Sequence, residues 1–395
     1  MGSAQVHHAG EAVAAATLHI GAAPNLPLEP WGVVRVLCTW LASTLGGDRV
    51  DKELRDRLAR VGFELRAPSE VGHRRDENQW TIGPSLRARR RASIEVLGRL
   101  PNVALFRNPV LDALDAALRP LFTEVPAVRL VGRRADDLEL ESVLLLSRLL
   151  EHRAKGLSMA LCDAVATPAL HTASVLDELR RWDGFIGSEV VSADVEAPIP
   201  LSDPRTNYDS DTVLEAANGA FASYAFGTAL FWAEELLKRQ SSVPRAALIA
   251  GVSAHNLDPH APGVAEVAAR HFTTLLEHTD EPAQRAHALY RLCLFEAKTR
   301  NDLEAAAQYG ARSLDEAARL EDGLVAYYSA WARNARAFVL YKSDRCGDAV
   351  AECQTAIHLL EGMRSEDPRV PTSEVEDTLS HLRANMDRAR RKLAR

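Results

Sequence analysis

Apolar residues along most of this chain recur three or four apart, with charged residues on the intervening positions. That period predicts a helix over residues 31–45, opened by Pro27 and Pro30 and closed by Gly46-Gly47, and a more charged helix over 48–61. A basic helix follows over 84–100, and another over 109–122 that begins at a proline suited to the first helical turn. Residues 1–25 are small and weakly patterned, and 63–80 is polar and reads as a loop. The pattern then changes. VRLVG at 128–132 and LSMALC at 157–162 are short strand runs, and 188–199 is extended, with helices at 136–152 and 168–182 between them. Strands and helices alternating over short connections predict parallel strands with covering helices.

A polar, turn-rich joint at 202–211 (SDPRTNYDSD) marks a domain boundary, and beyond it the chain reads as helix throughout. Helical hairpins are placed at 211–239, 243–278, 283–319 and 323–362. Pro244, Pro259, Pro262 and Pro282 punctuate the turns, and Pro368 and Pro371 end the array. A last helix over 372–395 turns basic (RARRKLAR). The expected organisation is an α/β domain at 1–205, helical repeats at 206–365 and a C-terminal basic helix at 366–395. The fold class is mainly α, with a small parallel sheet in the N-terminal domain.

Within the last hairpin, Ala337, Ala349 and Ala356 fall at the three small-residue positions of a repeat of about 34 residues. Those positions lie where helix A meets helix B and where one hairpin meets the next, so a larger side chain would force the helices apart. The stretch 283–363 resembles two stacked tetratricopeptide hairpins. Such hairpins cannot bury their apolar faces alone; they stack and build a concave groove. The resemblance implies a protein that binds a partner protein or peptide.

Composition narrows the picture further. A chain of 395 residues suits two domains, and 47% hydrophobic with 26% charged residues is an ordinary globular balance. A net charge of −7 argues against a general nucleic-acid binder. No apolar run reaches the ~20 residues that span a bilayer. The apolar run at 13–20 is short and lacks a basic leader, so no secretory signal is expected. Five widely spaced cysteines without a C-x-x-C read as reduced core thiols of a cytoplasmic protein.

Residues 10–205 also resemble the nucleotide-binding domain of STAND-class signalling ATPases, large bacterial regulators of the LuxR/MalT type that carry helical repeats. LPLEPWGVVRVLCTWLA looks like the proline-containing segment after that domain's first helix. VLDALDAALRPLFTEVPAVRLVG looks like the helix and strand that lead into the acidic Walker B turn. ESVLLLSRLLEH, LSMALC and VLDELRR look like the elements that follow. The resemblance implies a remnant P-loop-type domain, because the chain departs from the pattern where chemistry is done. No G-x-x-x-x-G-K-[ST] occurs to cradle phosphates, and the chain begins just after the place where it would lie. A gap-free alignment puts Arg133 and Arg134 at the acidic turn that helps to hold magnesium, and a cation cannot ligate a cation; a shift of three residues would bring Asp136 and Asp137 there. The regulators often end in a DNA-binding helix-turn-helix, but residues 363–395 are too few for that module and a linker. No cofactor is expected.

In the groove, Asn334, Phe338 and Tyr341 share one face of helix A of the last repeat, with Lys342 beside them, and Arg291 and Lys298 lie on the preceding helix A. The mix resembles the basic and amide groups with which tetratricopeptide domains hold acidic segments or C-terminal carboxylates, for which Arg and Asn offer several directed donors. The plainer alternative is a solvated face with ordinary charge pairs. Arg87, Arg89, Arg90, Arg91 and the terminal RARRKLAR read as solvated basic faces. Histidines His255, His260, His271 and His278 lack the HExxH arrangement of a zinc enzyme, so no metal site is expected. Tyr290, Tyr327, Tyr328 and Trp331 read as packing residues, at least half of them buried.

The first functional reading is therefore a non-catalytic scaffold that binds a protein or peptide in the helical groove, while the pseudo-ATPase half provides a second surface or a dimer contact. The alternative is an enzyme or accessory subunit of a small-molecule or peptide-modifying pathway, with a site between the two domains and carboxylates such as Asp136, Asp137 and Asp163. With no backbone nest or lysine for the phosphates, purified protein is expected to show no Mg-ATP turnover in a phosphate-release assay. Turnover that survives stringent purification and disappears on Asp136→Asn or Asp137→Asn would contradict this.

Overall fold

Thirteen α-helices form among the described residues of a computed structural model, so the chain is mainly α. The structure describes residues 16–20, 31–61, 63–66, 81–84, 109–125, 128–132, 140–151, 157–161, 208–222, 224–257, 263–363, 370 and 372–395. These fall into two compact units. One contains the described residues up to Tyr208 together with 224–228; the other contains Asp209–Ala222 and Ala229–Arg395. No helix among the described residues is long and apolar enough to cross a membrane.

In the first unit, β1 (Ala16–Ile20), β4 (Val128–Gly132) and β5 (Leu157–Leu161) are parallel neighbours with β4 in the centre. Leu18 pairs with Leu130, and Leu130 with Met159. Helices α1 (Gly32–Leu45), α2 (Gly47–Arg60), α3 (Pro109–Glu124) and α4 (Leu140–Glu151) pack on one another. Fully buried Trp31, Leu37, Leu41, Leu54 and Phe122 hold them together, and Trp40 stacks on Phe122 at 6.3 Å. Two sequence expectations need correction. β1 lies in the stretch read as weakly patterned, because a five-residue strand containing Thr and His has little period of its own and is defined by pairing far along the chain. The stretch read as a polar loop starts as β2 (Phe63–Arg66), antiparallel to β3 (Thr81–Pro84). The helices expected at 84–100 and 168–182 and the extended run at 188–199 lie outside the described residues.

The second unit is helical. It holds α5 (Ser210–Ala222) and most of α6 (Phe226–Arg239), then α7 (Pro244–Leu257), α8 (Val264–His278), α9 (Pro282–Phe295), α10 (Leu303–Ala317), α11 (Asp322–Lys342), α12 (Cys346–Glu361) and α13 (Thr372–Leu393). Local chemistry sets the boundaries. Pro282 opens α9 at a position whose N–H would be unpaired in any case, and the Asp302 carboxylate caps α10 by accepting the Ala305 N–H at 2.9 Å. Between those helices, Glu296–Arg300 winds as a π-helix and stops at Asn301, whose φ of 56° suits asparagine.

Successive helices pack closely from α7 onward, in the pairs α7–α8, α9–α10 and α11–α12, with α13 laid on α12. The expected pair at 211–239 differs: α5 lies against α7 instead. Helices α9, α11 and α13, the first members of successive pairs, also touch one another in turn. Small residues occupy the crossings. Ala306, Ser313, Ala337, Ala349 and Ala356 are all buried, and Ser313 Oγ donates to the Ala286 carbonyl at 2.8 Å. Tyr290, Tyr327, Tyr328 and Trp331 are all buried, as packing residues should be, and Tyr290 meets Trp331 edge to face at 5.6 Å. Ion pairs staple the hairpins: Arg285 to Glu316 at 2.6 Å across α9–α10, and Arg333 and Arg336 to Glu352 at 2.8 and 3.0 Å across α11–α12.

Ala349→Leu should destabilise the protein by ~1–3 kcal/mol through overpacking, while Ala351→Leu on the exposed face of the same helix should be close to neutral. Denaturant melts of the two variants check this; equal midpoints would mean that the crossing is not tight.

Candidate functional site

Because each hairpin repeats the previous one, the first helices of successive pairs turn the same side outward. Equivalent positions on α7, α9, α11 and α13 therefore come into a row. His255 on α7, Arg291 on α9, Lys298 in the π-helical turn, Asn334 and Phe338 on α11 and Arg388 on α13 belong to this row. Contacts tie its later members together: the Lys298 ammonium lies over the Phe338 ring, Phe338 and Arg388 line one small pocket with Asn385, and Asn385 bonds Asn334. The charges of Arg291 and Lys298 also bear on His255, and those of Arg291 and Arg388 on Lys298.

Arg291 is the inner wall. It is buried, its Nε–H donates to His287 Nε2 at 3.4 Å, and its guanidinium lies 5.4 Å from the centre of the Tyr290 ring. Lys298 sits nearer the mouth, with its ammonium 5.4 Å from the centre of the Phe338 ring. The residue as a whole is exposed. Burial first, then the charges of Arg291 and Arg388, pull its pKa below the usual lysine value. Neither Lys298 nor Arg388 has a carboxylate partner among the described residues. Burial, then Arg291, then Lys298 likewise hold half-buried His255 well below the ordinary histidine value, so it is neutral at pH 7.

Asn334 is buried, and Asn385 Nδ2 donates to its Oδ1 at 2.9 Å, which orients the amide and leaves the Asn334 Nδ2 donors without an acceptor among the described residues. A small pocket beside it is lined by Phe338, Tyr341, Cys353, Asn385 and Arg388 with the alanines at the helix crossing. Tyr341 is half-buried and already engaged: Lys392 Nζ lies 4.5 Å from its ring centre and donates to its carbonyl at 3.1 Å. Asp344 pairs with Lys392 at 2.5 Å and holds it above the usual lysine value. Lys342 is exposed at the end of α11, outside the pocket lining, with no partner among the described residues.

Four of the six groove residues expected from sequence thus gather in the row: Arg291, Lys298, Asn334 and Phe338. The reading of RARRKLAR as a solvated face fits its arginines, since Arg388, Arg390, Arg391 and Arg395 are all exposed. Arg388 also lines the small pocket beside Phe338, and half-buried Lys392 lies on Tyr341. Arg388, Asn385 and His255 were missed. The available signal was that the last helix, read as a further repeat helix A, puts Asn385 and Arg388 three apart on one face.

Other sequence candidates stand apart from this row. Arg133, Arg134, Asp136, Asp137 and Asp163, the arginines at 87–91, His260 and Cys162 lie outside the described residues. His271 bonds Glu234 at 3.0 Å, and His278 is exposed. Cys38, Cys293, Cys346 and Cys353 are free and buried, and burial pushes Cys38 and Cys293 up to about 12, which leaves no reactive thiolate there. Among the described residues no group of three His, Cys, Asp or Glu side chains could hold a metal ion.

The row makes a favourable seat for an anion and a poor one for a cation. In a histidine-detected NMR titration, His255 should titrate well below the value of an unfolded histidine, and Lys298→Gln should move it upward by removing one repelling charge. An unmoved His255 would contradict the proximity described. The chain matches no family model, no curated protein and no solved structure.

Proposed function

We propose that this protein is a non-catalytic scaffold that binds a protein or peptide along the face shared by α7, α9, α11 and α13. The partner presents an acidic or carboxylate-ended segment. One observation carries this reading: in a chain of net charge −7, Lys298 lies over the Phe338 ring and Arg388 lines the pocket beside that ring, and neither has a carboxylate partner among the described residues. Like charges held near one another repel until an anion arrives, and charge-assisted hydrogen bonds then fix the ligand's direction. Phe338 supplies the apolar floor on which an extended segment lies. The α/β unit fits a role as a second surface or dimer contact, in keeping with its resemblance to an ATPase domain without a phosphate loop.

The test is a fluorescence-anisotropy titration of the full chain with a degenerate acidic peptide library bearing free carboxylate ends. Arg291 and Asn334 are buried, so replacing them would disturb packing as well as binding; Lys298 and Arg388 are the better probes. The double variant Lys298→Gln, Arg388→Gln should weaken binding tenfold or more, about the loss of one charge-assisted bond. Binding should also weaken as ionic strength rises. Affinity that ignores both the double variant and salt would place the partner site elsewhere in the chain.

A further inference from the structure

Lys298, Asn334 and Arg388 stand on three separate elements, the π-helical turn, α11 and α13, and gather around Phe338 and Asn385: Lys298 lies over the Phe338 ring, Arg388 lines the pocket beside it and donates to Asn385 Oδ1, and Asn385 donates to Asn334. Many neighbouring cations of the array are spent on protein carboxylates. Arg285 pairs with Glu316, Arg333 and Arg336 with Glu352, and Lys392 with Asp344. Lys298 and Arg388 are not, and Arg291 adds its field to theirs. The donors also differ in kind: a compact ammonium, a planar guanidinium and an amide whose oxygen Asn385 already occupies.

A carboxylate fits this set incompletely. It carries one charge and accepts through two oxygens in one plane. A phosphate monoester carries about −1.5 to −2 charges at neutral pH and three acceptor oxygens pointing in three directions. Two cations and an amide arriving from three elements match the second anion in both charge and geometry, and arginine is the side chain suited to bind phosphate oxygens in pairs.

Resting on the groove reading above, we propose that Lys298, Asn334 and Arg388 form a seat for a phosphorylated serine or threonine in the partner segment, with the Phe338 ring beneath it. The groove would then bind its partner in a phosphorylation-dependent way. Fixed negative charge elsewhere in the segment would add long-range attraction, while the phosphoryl group would set its register.

The experiment uses the full chain and three degenerate peptide libraries, identical except for a central serine, glutamate or phosphoserine, all with amidated ends. The phosphoserine library should bind at least tenfold tighter than the other two. Inorganic phosphate should displace it at concentrations where acetate, at matched ionic strength, does not. Lys298→Gln and Arg388→Gln should each abolish the preference, while Arg390→Gln, two residues along and so on the opposite side of the same helix, should retain it. Thermal melts establish that each variant is folded. If peptides bind equally with and without phosphate, the phosphate seat is overturned and the groove reading stands. If none of the three amidated libraries binds, the phosphate seat is overturned, and if the library with free carboxylate ends fails as well, so is the groove reading.

Discussion

A single added Cβ at Gly310 on α10 would lie 2.8 Å from Cγ of Arg336 on α11 and 3.4 Å from the sulfur of Cys293 on α9. That closeness is the constraint from which the array follows. Ala306 and Ser313 on α10, and Ala349 and Ala356 on α12, are small and buried on the same helices and at the next crossing. Helices held at short range by small residues interlock through the larger side chains around the contact, and Tyr290, Tyr327 and Trp331 fill that role here. The offset between pairs is then fixed, and with it the alignment of α9, α11 and α13 that brings their polar groups together.

Within that frame, the π-helical turn decides where Lys298 points. A π turn inserts an extra residue relative to an α-helix and rotates everything after it. Here the turn carries Lys298 over Phe338 and hands the chain to Asn301, whose left-handed conformation redirects it into α10. The contrast with Lys392 shows what placement does to a charge. Lys392 has Asp344 beside it and is held above the usual lysine value; for Lys298, burial and the charges of Arg291 and Arg388 pull the value below it. The first lysine ties the last helix to the turn after α11, whereas the second has no carboxylate partner among the described residues.

Much of the array was legible in the sequence because its information is local. Helical period, proline at helix starts and three alanines at repeat spacing each act within one or two hairpins. The row of Arg291, Lys298, Asn334 and Phe338 could be read because equivalent repeat positions share a face. Arg388 was hidden because its helix looked like an appended basic tail, and net basicity masks which exposed arginine borders the pocket beside Phe338. The π turn was hidden too: nothing in EAKTR distinguishes it from an ordinary helix end. β1 was obscured for the opposite reason, since its partner β4 lies far along the chain and pairing, not composition, defines it.

The account stands on the claim that Lys298 and Arg388 lie near one another with no acid among the described residues to balance them. An NMR titration of lysine side chains in the full chain, with Lys298 assigned by its loss in Lys298→Gln, measures this directly. The account predicts that Lys298 titrates below an ordinary lysine and moves upward when Arg388→Gln removes one repelling charge. A Lys298 that titrates at or above the ordinary value, unaffected by Arg388→Gln, would mean that the charge is already neutralised, and would contradict the account.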